Sequence, residues 1–496
     1  MTKPRLLKKI LSREVIMPLF RQYTALPCWR DVNIDELHNE VHENYIIVLA
    51  LLILLERGRD IIQFRNEATS DATLPLRLTY TEACPDLRLG GQASTRLRCF
   101  RNPPWGFYMK EEFYRKQWQL NVPYMEMDKM GLSFIAKHTN FESDVILPWC
   151  RSKQIPPHMS EAPRSGYGGY SRVDPVYIHP DYHGFRAPLE KDLEDLYRNE
   201  IEHLKSFNGT VCPHLVTLLT TFTHKEKRNF LFPWATCSLE SYWETEKPQP
   251  RSVDNIRWFS KQLVGLAEAV KTIHYPPHME HKYGRHSDLK PDNILWYRTY
   301  GDDPNGILVV SDMGFTVAHH TLSRSNDHPA TVARTPEYRP PELDTESNST
   351  ISRKSDIWPL GCIFLEMVIW FLGGKEEREG FKKSRKEEEP KYGAMTYTFF
   401  TLTQREIQSD NESGEQSKFH AEVKTSVQDC MNRVRRHENR SQFSDAIVSV
   451  IQESMIVVDP SGRDDMLTLH QKFSDINHKC TLEENYCIPS THSDGL

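Results

Sequence analysis

The residues best suited to chemistry lie in one short polar stretch near the middle of the chain. The stretch His286–Asn293 reads HSDLKPDN and supplies a carboxylate at Asp288, an ammonium group at Lys290 and an amide at Asn293. A second carboxylate, Asp312, follows 19 residues after Asn293 in the sequence SDMGF. A positioned carboxylate can accept a proton from a hydroxyl group, and a lysine can neutralise a phosphate. Amide and carboxylate oxygens are also the ligands that a hard cation such as Mg²⁺ prefers.

Two further motifs follow in chain order. Residues 335–342 read TPEYRPPE, and residues 355–361 read SDIWPLG. Taken with HSDLKPDN and SDMGF, they resemble the catalytic half of a eukaryotic protein kinase, with its catalytic loop, metal-binding DFG element, APE element and anchoring helix. The Asp-x-Lys form is similar to serine/threonine rather than tyrosine kinases, and KYGRHSDLKPDNILW and EYRPPEL resemble the kinase domains of filamentous fungi. The resemblance covers about Gly166 to Phe473.

This resemblance implies a role for each polar residue of the first two motifs. Asp288 would accept the proton of the attacking hydroxyl, and Lys290 would neutralise the γ-phosphate of ATP. Asn293 and Asp312 would hold Mg²⁺, which bridges phosphate oxygens. Phosphoryl transfer depends on positioning and charge neutralisation more than on covalent chemistry, so these residue types agree with it.

Four other residues are implied to support the site. Thr335 resembles the threonine that contacts the catalytic loop in serine/threonine kinases. Glu342 and Arg463 resemble the ion pair that ties the activation segment to the lower lobe. Asp356 is expected to orient the backbone of the catalytic loop from the apolar helix beneath it.

One position of the catalytic loop departs from the family pattern. Ser287 stands where many kinases have an arginine, and Arg285, on the far side of His286, is not expected to substitute for it. A phosphate on the activation segment would therefore lack its usual arginine partner.

A glycine-rich turn precedes these motifs. Residues 166–173 read GYGGYSRV, which matches GxGxxGxV except that serine replaces the third glycine. Such a turn lets backbone N–H groups approach phosphates, although a plain hairpin has the same pattern. The ATP-binding residues implied there are Gly166, Gly168, Gly169, Ser171 and Val173.

The lysine that positions ATP is harder to identify. Glu200 aligns with the helix glutamate that pairs with this lysine in kinases, but the preceding sequence FRAPLEK lacks a VAIK-like strand, and Pro188 would break a strand ladder. Lys191 is the first candidate, and Arg186 or Arg172 are alternatives, although a guanidinium is not equivalent to an ammonium group. Lys191 is equally well interpreted as a solvated residue at a helix start.

Three functions fit these motifs. The first is a serine/threonine protein kinase that uses Mg-ATP, because Asp288, Lys290, Asn293 and Asp312 are all present. The second is a pseudokinase that acts as a binding or scaffold module, because the VAIK-type lysine is not clearly present. A small-molecule phosphotransferase fits less well, because YRPPE resembles the platform that binds a peptide substrate.

Composition limits the class of protein. The chain has 496 residues, of which 38% are hydrophobic, and its 62 basic and 68 acidic residues give a net charge of −6. Cores can form, and no nucleic-acid partner is expected. The longest apolar run, Tyr45–Leu55, has 11 residues. A membrane span needs about 20, so we expect a buried helix there and no membrane partner. Ten cysteines without a CxxC pair favour reduced thiols, in the cytoplasm or nucleus.

The predicted fold class is α+β, with a two-lobed kinase-like fold of a small β-rich N-lobe and a large helical C-lobe. A mainly helical region is expected over residues 1–150 and a linker over 151–165, before a kinase domain over 166–475. Between Lys375 and Lys391, 13 of 17 residues are charged, which predicts a solvated insertion over about 373–416. Residues 476–496 are expected to form a polar tail.

Overall fold

The computed structural model of this chain consists of two compact units. It describes residues 5–81, 84–89, 97–100, 105–130, 133–135, 137–150, 166–167, 172–185, 212–248, 252–276, 282–298, 303–312, 319–320, 336–345, 351–389, 391, 393–405 and 418–488. The first unit contains Met1–Asp128, Ala136–Ala187 and Leu218–Leu231. The second contains Lys129–Ile135, Pro188–Thr217 and Phe232–Leu496.

The first unit begins with five successive helices and then contains mainly strands, and long helices dominate the second. The helices are α1 (Arg5–Ile10), α2 (Arg13–Tyr23), α3 (Ile34–Asn44), α4 (Ile46–Leu54), α5 (Ile61–Asn66), α6 (Phe107–Leu120), α7 (Leu239–Thr245), α8 (Val253–His274), α9 (Glu342–Thr345), α10 (Ile357–Ser384), α11 (Thr425–Val434), α12 (Gln442–Val450), α13 (Met466–Leu482) and α14 (Glu484–Cys487). The strands are β1 (Arg77–Thr81), β2 (Cys84–Arg88), β3 (Asp128–Met130), β4 (Ser133–Ile135), β5 (Lys137–Asn140), β6 (Gly166–Tyr167), β7 (Arg172–Val173), β8 (Thr220–His224), β9 (Lys227–Leu231), β10 (Cys237–Ser238), β11 (Lys282–Tyr283), β12 (Ile294–Tyr297), β13 (Ile307–Val310), β14 (His319–His320), β15 (Glu387–Glu389), β16 (Ala394–Thr396), β17 (Phe400–Arg405) and β18 (Lys418–Val423).

The apolar helix α4 forms the centre of the helical part of the first unit. Seven of its nine residues, from Ile46 to Leu52, are buried. The carboxylate of Asp71 accepts the backbone N–H groups of Ile47 and Val48 at 3.0 and 2.9 Å, which satisfies donors that the first helical turn leaves unpaired. The buried helix predicted for Tyr45–Leu55 is therefore confirmed.

A three-stranded sheet completes the first unit. Strand β5 lies parallel to β8, with Lys137 opposite Thr220, and β8 lies antiparallel to β9. One face of this sheet buries Phe222 and Leu231 together with Met125. The sheet thus joins residues from both sides of the linker that we expected at 151–165, and residues 151–165 lie outside the described part of the chain.

The core of the second unit forms around helices α8, α10 and α13. Ser252 caps α8 by accepting the N–H of Asn255 at 3.2 Å. The sheet β10–β12–β13 packs beside α8, where Leu308 and Val310 join the helix residues in one apolar core. One uninterrupted helix of 22 residues, α8, therefore forms one side of this core.

The prediction of a solvated insertion over 373–416 is only partly right for the residues that the structure describes, because exposed positions such as Lys383 alternate with buried ones in a folded segment. Helix α10 continues to Ser384 through a break at Gly374, whose φ of 77° suits glycine, and two hairpins follow, β15–β16 and β17–β18. Arg378 and Arg385 are buried, because carboxylates from distant parts of the chain neutralise them. Residues 406–417 lie outside the description.

The predicted polar tail begins too early. Helix α13 runs to Leu482 and α14 to Cys487, and Ile476, Cys480, Tyr486 and Cys487 are buried. The physical reason is that Ile476 and Cys480 continue the apolar face of α13 at a spacing of four residues. Residues 489–496 are not described.

These units have the mixed α+β content and the helical N-terminal region that the sequence predicts. Within the described residues, the helical stretch Arg353–Ser384 is long and apolar enough to cross a membrane, but 94% of its most apolar part is buried inside the protein. That burial is typical of a core helix.

Candidate active site

Three of the predicted catalytic residues lie together in the loop between β11 and β12. Lys290 donates from Nζ to Oδ2 of Asp288 at 2.8 Å. The Nδ2 atom of Asn293 donates to the carbonyl oxygen of Asp288 at 2.8 Å and to its Oδ2 at 3.2 Å. Asp288 is 8% exposed, so its carboxylate is held in one position by a cation and an amide.

The strand pair β12–β13 brings Asp312 to this loop. Ile294 lies opposite Val310, so the residue before β12, Asn293, meets the residue after β13, Ser311. The backbone N–H of Ser311 donates to the carbonyl oxygen of Asn293 at 2.8 Å, and its hydroxyl donates to the same oxygen at 2.9 Å. The two predicted metal-binding residues, Asn293 and Asp312, are therefore adjacent in space although 19 residues separate them in sequence.

Two backbone positions in the site adopt the left-handed conformation. Ser287 has a φ of 73° and Asp312 a φ of 57°. Such values are uncommon in residues other than glycine and persist only where surrounding contacts impose them. The buried ring of His286 supplies one such contact, because its Nε2 donates to the carbonyl oxygen of Ser311 at 2.7 Å while its Nδ1 accepts the N–H of Asp288 at 3.3 Å.

Asp356 supports the catalytic loop from below, as its position in the sequence led us to expect. Its Oδ2 accepts the N–H of His286 at 2.8 Å, and its Oδ1 accepts the N–H of Ser287 at 2.9 Å. The ring Nε2 of His274 lies 2.9 Å from the same Oδ2. Asp356 is 1% exposed, so these donors replace water around a buried charge.

Glu342 and Arg463 form a bidentate ion pair. Nη1 and Nη2 of Arg463 donate to Oε1 and Oε2 of Glu342 at 2.9 and 2.8 Å. Ser355 donates from its hydroxyl to Oε1 of Glu342 at 2.9 Å, and Arg463 also donates to the carbonyl oxygen of Val457 at 2.7 Å. The contact links α9 with the loop that precedes α13.

Two residues that sequence reasoning did not select also position the site. Arg285 is buried and donates to the hydroxyl of Ser287 at 2.7 Å and to the carbonyl oxygen of Ile351 at 2.8 Å. His214 fixes β13 through contacts with Leu308 at 2.7 Å and Val310 at 2.7 Å. The RHSD order could have drawn attention to Arg285, since arginine and serine flank the same histidine. No local signal in the sequence identifies His214.

The position of His214 requires a glycine in the facing helix. A Cβ atom at Gly265 of α8 would lie 2.0 Å from the ring of His214. Burial lowers the pKa of His214 to about 4, although the hydrogen bond to Leu308 opposes this shift. The ring is therefore neutral at pH 7 and can donate one N–H to the carbonyl oxygen of Leu308.

The oxygen groups of this site suit a hard cation that is shared with phosphates. Both hydrogen bonds from the Asn293 amide to Asp288 use its nitrogen, so the amide oxygen keeps its capacity as a ligand. Asp312 is exposed and adds a carboxylate. No group of three or more acidic, histidine or cysteine side chains that could hold a metal ion occurs in the described ranges. An ion bound by Asn293 and Asp312 would complete its coordination with water and phosphate oxygens, which is how Mg²⁺ usually binds.

The predicted nucleotide-binding residues lie partly outside the described structure. Gly166 and Val173 pair in the short hairpin β6–β7 of the first unit. The other members of the predicted set, Gly168, Gly169, Ser171, Lys191 and Glu200, and the supporting residue Thr335, lie outside the described residues. Their roles stay predictions.

Comparison with known proteins finds similarity to protein kinases. A family model described as a protein kinase domain matches residues 186–471, more than half of the chain, and begins 20 residues after Gly166. The chain is 26% identical over 197 residues to cyclin-dependent kinase D-1 of Arabidopsis thaliana, covering 39% of this chain and 44% of that protein. It is 29% identical over 221 residues to the dual specificity protein kinase Ttk of Danio rerio, covering 41% and 20%.

A fungal relative is found as well. The G2-specific protein kinase nim-1 of Neurospora crassa is 26% identical over 203 residues, covering 40% of this chain and 20% of that protein. The match spans less than half the length of each of these relatives. Since the matched range contains the catalytic loop, Asp312 and the Glu342–Arg463 pair, the chain belongs to the eukaryotic-type protein kinase family.

Proposed function

We propose that this protein is a serine/threonine kinase that transfers the γ-phosphate of ATP to a hydroxyl group of another protein. A protein kinase domain implies ATP, a divalent metal ion and a protein substrate in general. The observation that carries the proposal is the hydrogen-bonded set of Asp288, Lys290 and Asn293, joined through Ser311 to Asp312.

In the proposed reaction, Asp288 accepts the proton of the substrate hydroxyl. The hydroxyl oxygen forms a bond to the γ-phosphorus, and the bond from that phosphorus to the bridging oxygen of ADP breaks. Lys290 holds the carboxylate of Asp288 at 2.8 Å and lies where its charge can stabilise the transferring phosphoryl group. The Asp-x-Lys spacing supports serine/threonine specificity.

We propose Mg²⁺ as the metal ion, held by Asn293 and Asp312. When bound, it would neutralise the charge of the β- and γ-phosphates and align the γ-phosphate. The chain's own contribution is to hold the two ligands next to each other, through the hydrogen bonds between Ser311 and Asn293.

The pseudokinase remains the alternative, since the segment with Lys191 and Glu200 is not described. A scaffold would need no proton acceptor, whereas Asp288 here is oriented by both Lys290 and Asn293. That arrangement favours catalysis.

The test is phosphate transfer by the full chain. Purified protein is incubated with radiolabelled Mg-ATP and a panel of generic protein substrates, beside the variant Asp288→Asn. We expect kcat to fall at least about 100-fold, with nucleotide binding retained, because only the proton acceptor is lost. Asp292→Asn is the matched control, since Asp292 is an exposed carboxylate on the same loop. Equal transfer by wild type and Asp288→Asn would overturn the proposal, and nucleotide binding without any transfer would favour the scaffold.

We further propose that the protein works in the cytoplasm or nucleus. Nine of the ten cysteines, all except Cys84, are free thiols in the structure, which supports a reducing compartment.

A further inference from the structure

The charged stretch that begins in the last turns of α10 contacts the segment that the sequence suggests as the peptide platform. We call residues 336–345 the platform segment and residues 375–424, as far as they are described, the clamp segment. The clamp segment contains the last turns of α10 and the hairpins β15–β16 and β17–β18. Both segments belong to the second unit.

Arg385 of the clamp segment is the central contact. It is fully buried and donates from Nη2 to Glu337 at 2.7 Å and to Glu366 at 2.9 Å. Its guanidinium lies 4.3 Å from the ring centre of Phe381 and 4.0 Å from that of Phe399. Burial alone would lower the pKa of Arg385, but the Glu366 and Glu337 carboxylates raise it. The arginine therefore stays charged while it bridges the platform segment to α10.

Tyr338 of the platform segment joins the same network. Its hydroxyl donates to Oε2 of Glu366 at 2.8 Å, and burial, followed by the Glu366 charge, raises the pKa of Tyr338 well above its ordinary value. Arg378 pairs with Glu240 and lies over the ring of Trp243 at 4.1 Å. Cations and carboxylates are thus interleaved beneath the platform segment.

A second attachment holds the other end of the platform segment. Lys391 donates from Nζ to the carbonyl oxygen of Asp344 at 2.7 Å and to its Oδ1 at 3.3 Å. Arg339, within the platform segment, also pairs with Asp344 at 2.7 Å. The buried Lys424 donates to the carbonyl oxygen of Arg385 at 2.8 Å, so the two ends of the clamp segment are tied together.

Stability alone is a poor explanation for so many buried charges. Apolar side chains of similar volume often stabilise a core as well as or better than a buried ion pair, because the charges lose their hydration. A charged network does, however, permit fewer arrangements than an apolar contact, because each donor and acceptor must be satisfied. In the described residues Nη1 of Arg385 has no hydrogen-bond partner, so it is the two bonds from Nη2 and the bond from Tyr338 to Glu366 that restrict the backbone around Glu337 and Tyr338.

We infer that Arg385 is a positioning residue for the protein substrate, and that the clamp segment fixes the platform segment through Glu337, Tyr338 and Asp344. Arg385 is buried and acts only through these residues. The inference rests on the proposed kinase function and adds to it the part of the chain that orients the substrate.

The test compares Arg385→Met with wild type in the full chain. We expect KM for the protein that accepts the phosphate to rise about tenfold, while KM for ATP changes less than about twofold. Hydrogen exchange of the amides in residues 336–345 is expected to accelerate at least about tenfold. Lys383→Gln is the matched control, since Lys383 is 78% exposed and pairs with Glu379 at 3.9 Å on the same helix.

Removing Arg385 takes the nearer of two cations from the buried Glu366, since Arg378 lies 3.9 Å from the same carboxylate. This loss can unfold the chain. The double variant Arg385→Met/Glu366→Gln removes that charge and is measured in the same way. Unchanged substrate KM and unchanged exchange in a folded variant would overturn the inference, as would an equal rise of both KM values. If wild type transfers no phosphate, the proposed function fails, and the exchange measurement still decides whether Arg385 fixes the platform segment.

Discussion

The Oδ2 atom of Asp356 accepts the backbone N–H of His286 at 2.8 Å, which ties the start of helix α10 to the catalytic loop. Burial would raise the pKa of Asp356, but the hydrogen bond and charge of His274, with the N–H of Ser287, lower it to about 2. The carboxylate is thus ionised at neutral pH, and the loop that carries Asp288 is anchored to the core of the second unit by a buried charge.

Replacing Asp356 by asparagine should destabilise the second unit and lower catalysis. An asparagine amide presents one acceptor where the carboxylate uses two, so it leaves a buried donor unpaired. We expect a loss of about 3 kcal/mol in the free energy of unfolding, measured with urea. Asp254→Asn is the control, because Asp254 is 92% exposed and pairs with Arg257 at the surface. Equal stability of the two variants would contradict this role.

The same carboxylate predicts acid sensitivity. The pKa of Asp356 in the folded state, about 2, lies below its ordinary value of 3.8. The stability that ionised Asp356 contributes to the folded state is therefore present above about pH 3.8 and is lost as pH falls through 2. The stability difference between wild type and Asp356→Asn should shrink as urea unfolding is repeated from pH 5 down to pH 2, and a constant difference would argue against it.

The Glu342–Arg463 pair should show strong coupling. Arg463→Met removes the bidentate cation from the buried carboxylate of Glu342, and we expect a cost of about 3–5 kcal/mol in the free energy of unfolding. The double variant Arg463→Met/Glu342→Gln should cost less than the sum of the single changes, because no buried carboxylate is left without the arginine. Urea unfolding of the four proteins of this cycle gives the coupling. Arg436 is exposed, so the control variant Arg436→Met should change the free energy of unfolding little.

The catalytic loop was the most predictable part of the protein. Asp288, Lys290 and Asn293 lie within six residues, so their proximity follows from the chain itself. The approach of Asp312 depends on the antiparallel pairing of β12 with β13, two short apolar runs that a single turn can connect. Where both partners of a contact are close in sequence, residue types and spacing were sufficient.

Contacts between distant residues were not predictable from local patterns. Nothing in the sequence of β5 identifies β8 as its partner, since Lys137 and Thr220 are 83 residues apart. The charges of the clamp segment are typical of a solvated surface until Glu366 and Glu337 are known to face them. Ile476 and Cys480, by contrast, have the spacing of a helix face, and that pattern was available in the sequence.

A chain that begins at residue 151 should fold poorly. It would lack β5 and the partly buried side chains of Phe141, Leu147 and Trp149, which pack against Phe222 in the first unit. Exposed strand edges and apolar surface promote aggregation, so we expect little soluble monomer by size-exclusion chromatography. A chain that begins at residue 5 is the control. A soluble, cooperatively unfolding 151–496 fragment would show that the N-terminal region is an independent addition.

Asp71 should make the first unit more stable in mild acid. Burial raises the pKa of Asp71 to about 6, against the opposing hydrogen bonds from Val48 and Ile47. Its contribution is therefore fully present below about pH 3.8 and is lost as pH rises through 6. Asp71→Asn keeps an acceptor for the two N–H groups and cannot ionise. As pH rises, the first unit of the variant should lose roughly 1–3 kcal/mol less stability than that of wild type.

The measurement is hydrogen exchange of the α4 amides, with variant and wild type compared at each pH so that the intrinsic pH dependence of exchange cancels. The protection of Asp71→Asn relative to wild type should increase between pH 4 and pH 7. Asp71→Ala, which removes the acceptor, should instead lower protection at every pH, because it leaves the N–H groups of Ile47 and Val48 without their partner. If Asp71→Asn and Asp71→Ala behaved alike, the acceptor at residue 71 would be shown to make no contribution. A constant difference in protection between Asp71→Asn and wild type at every pH would contradict the role of the buried charge.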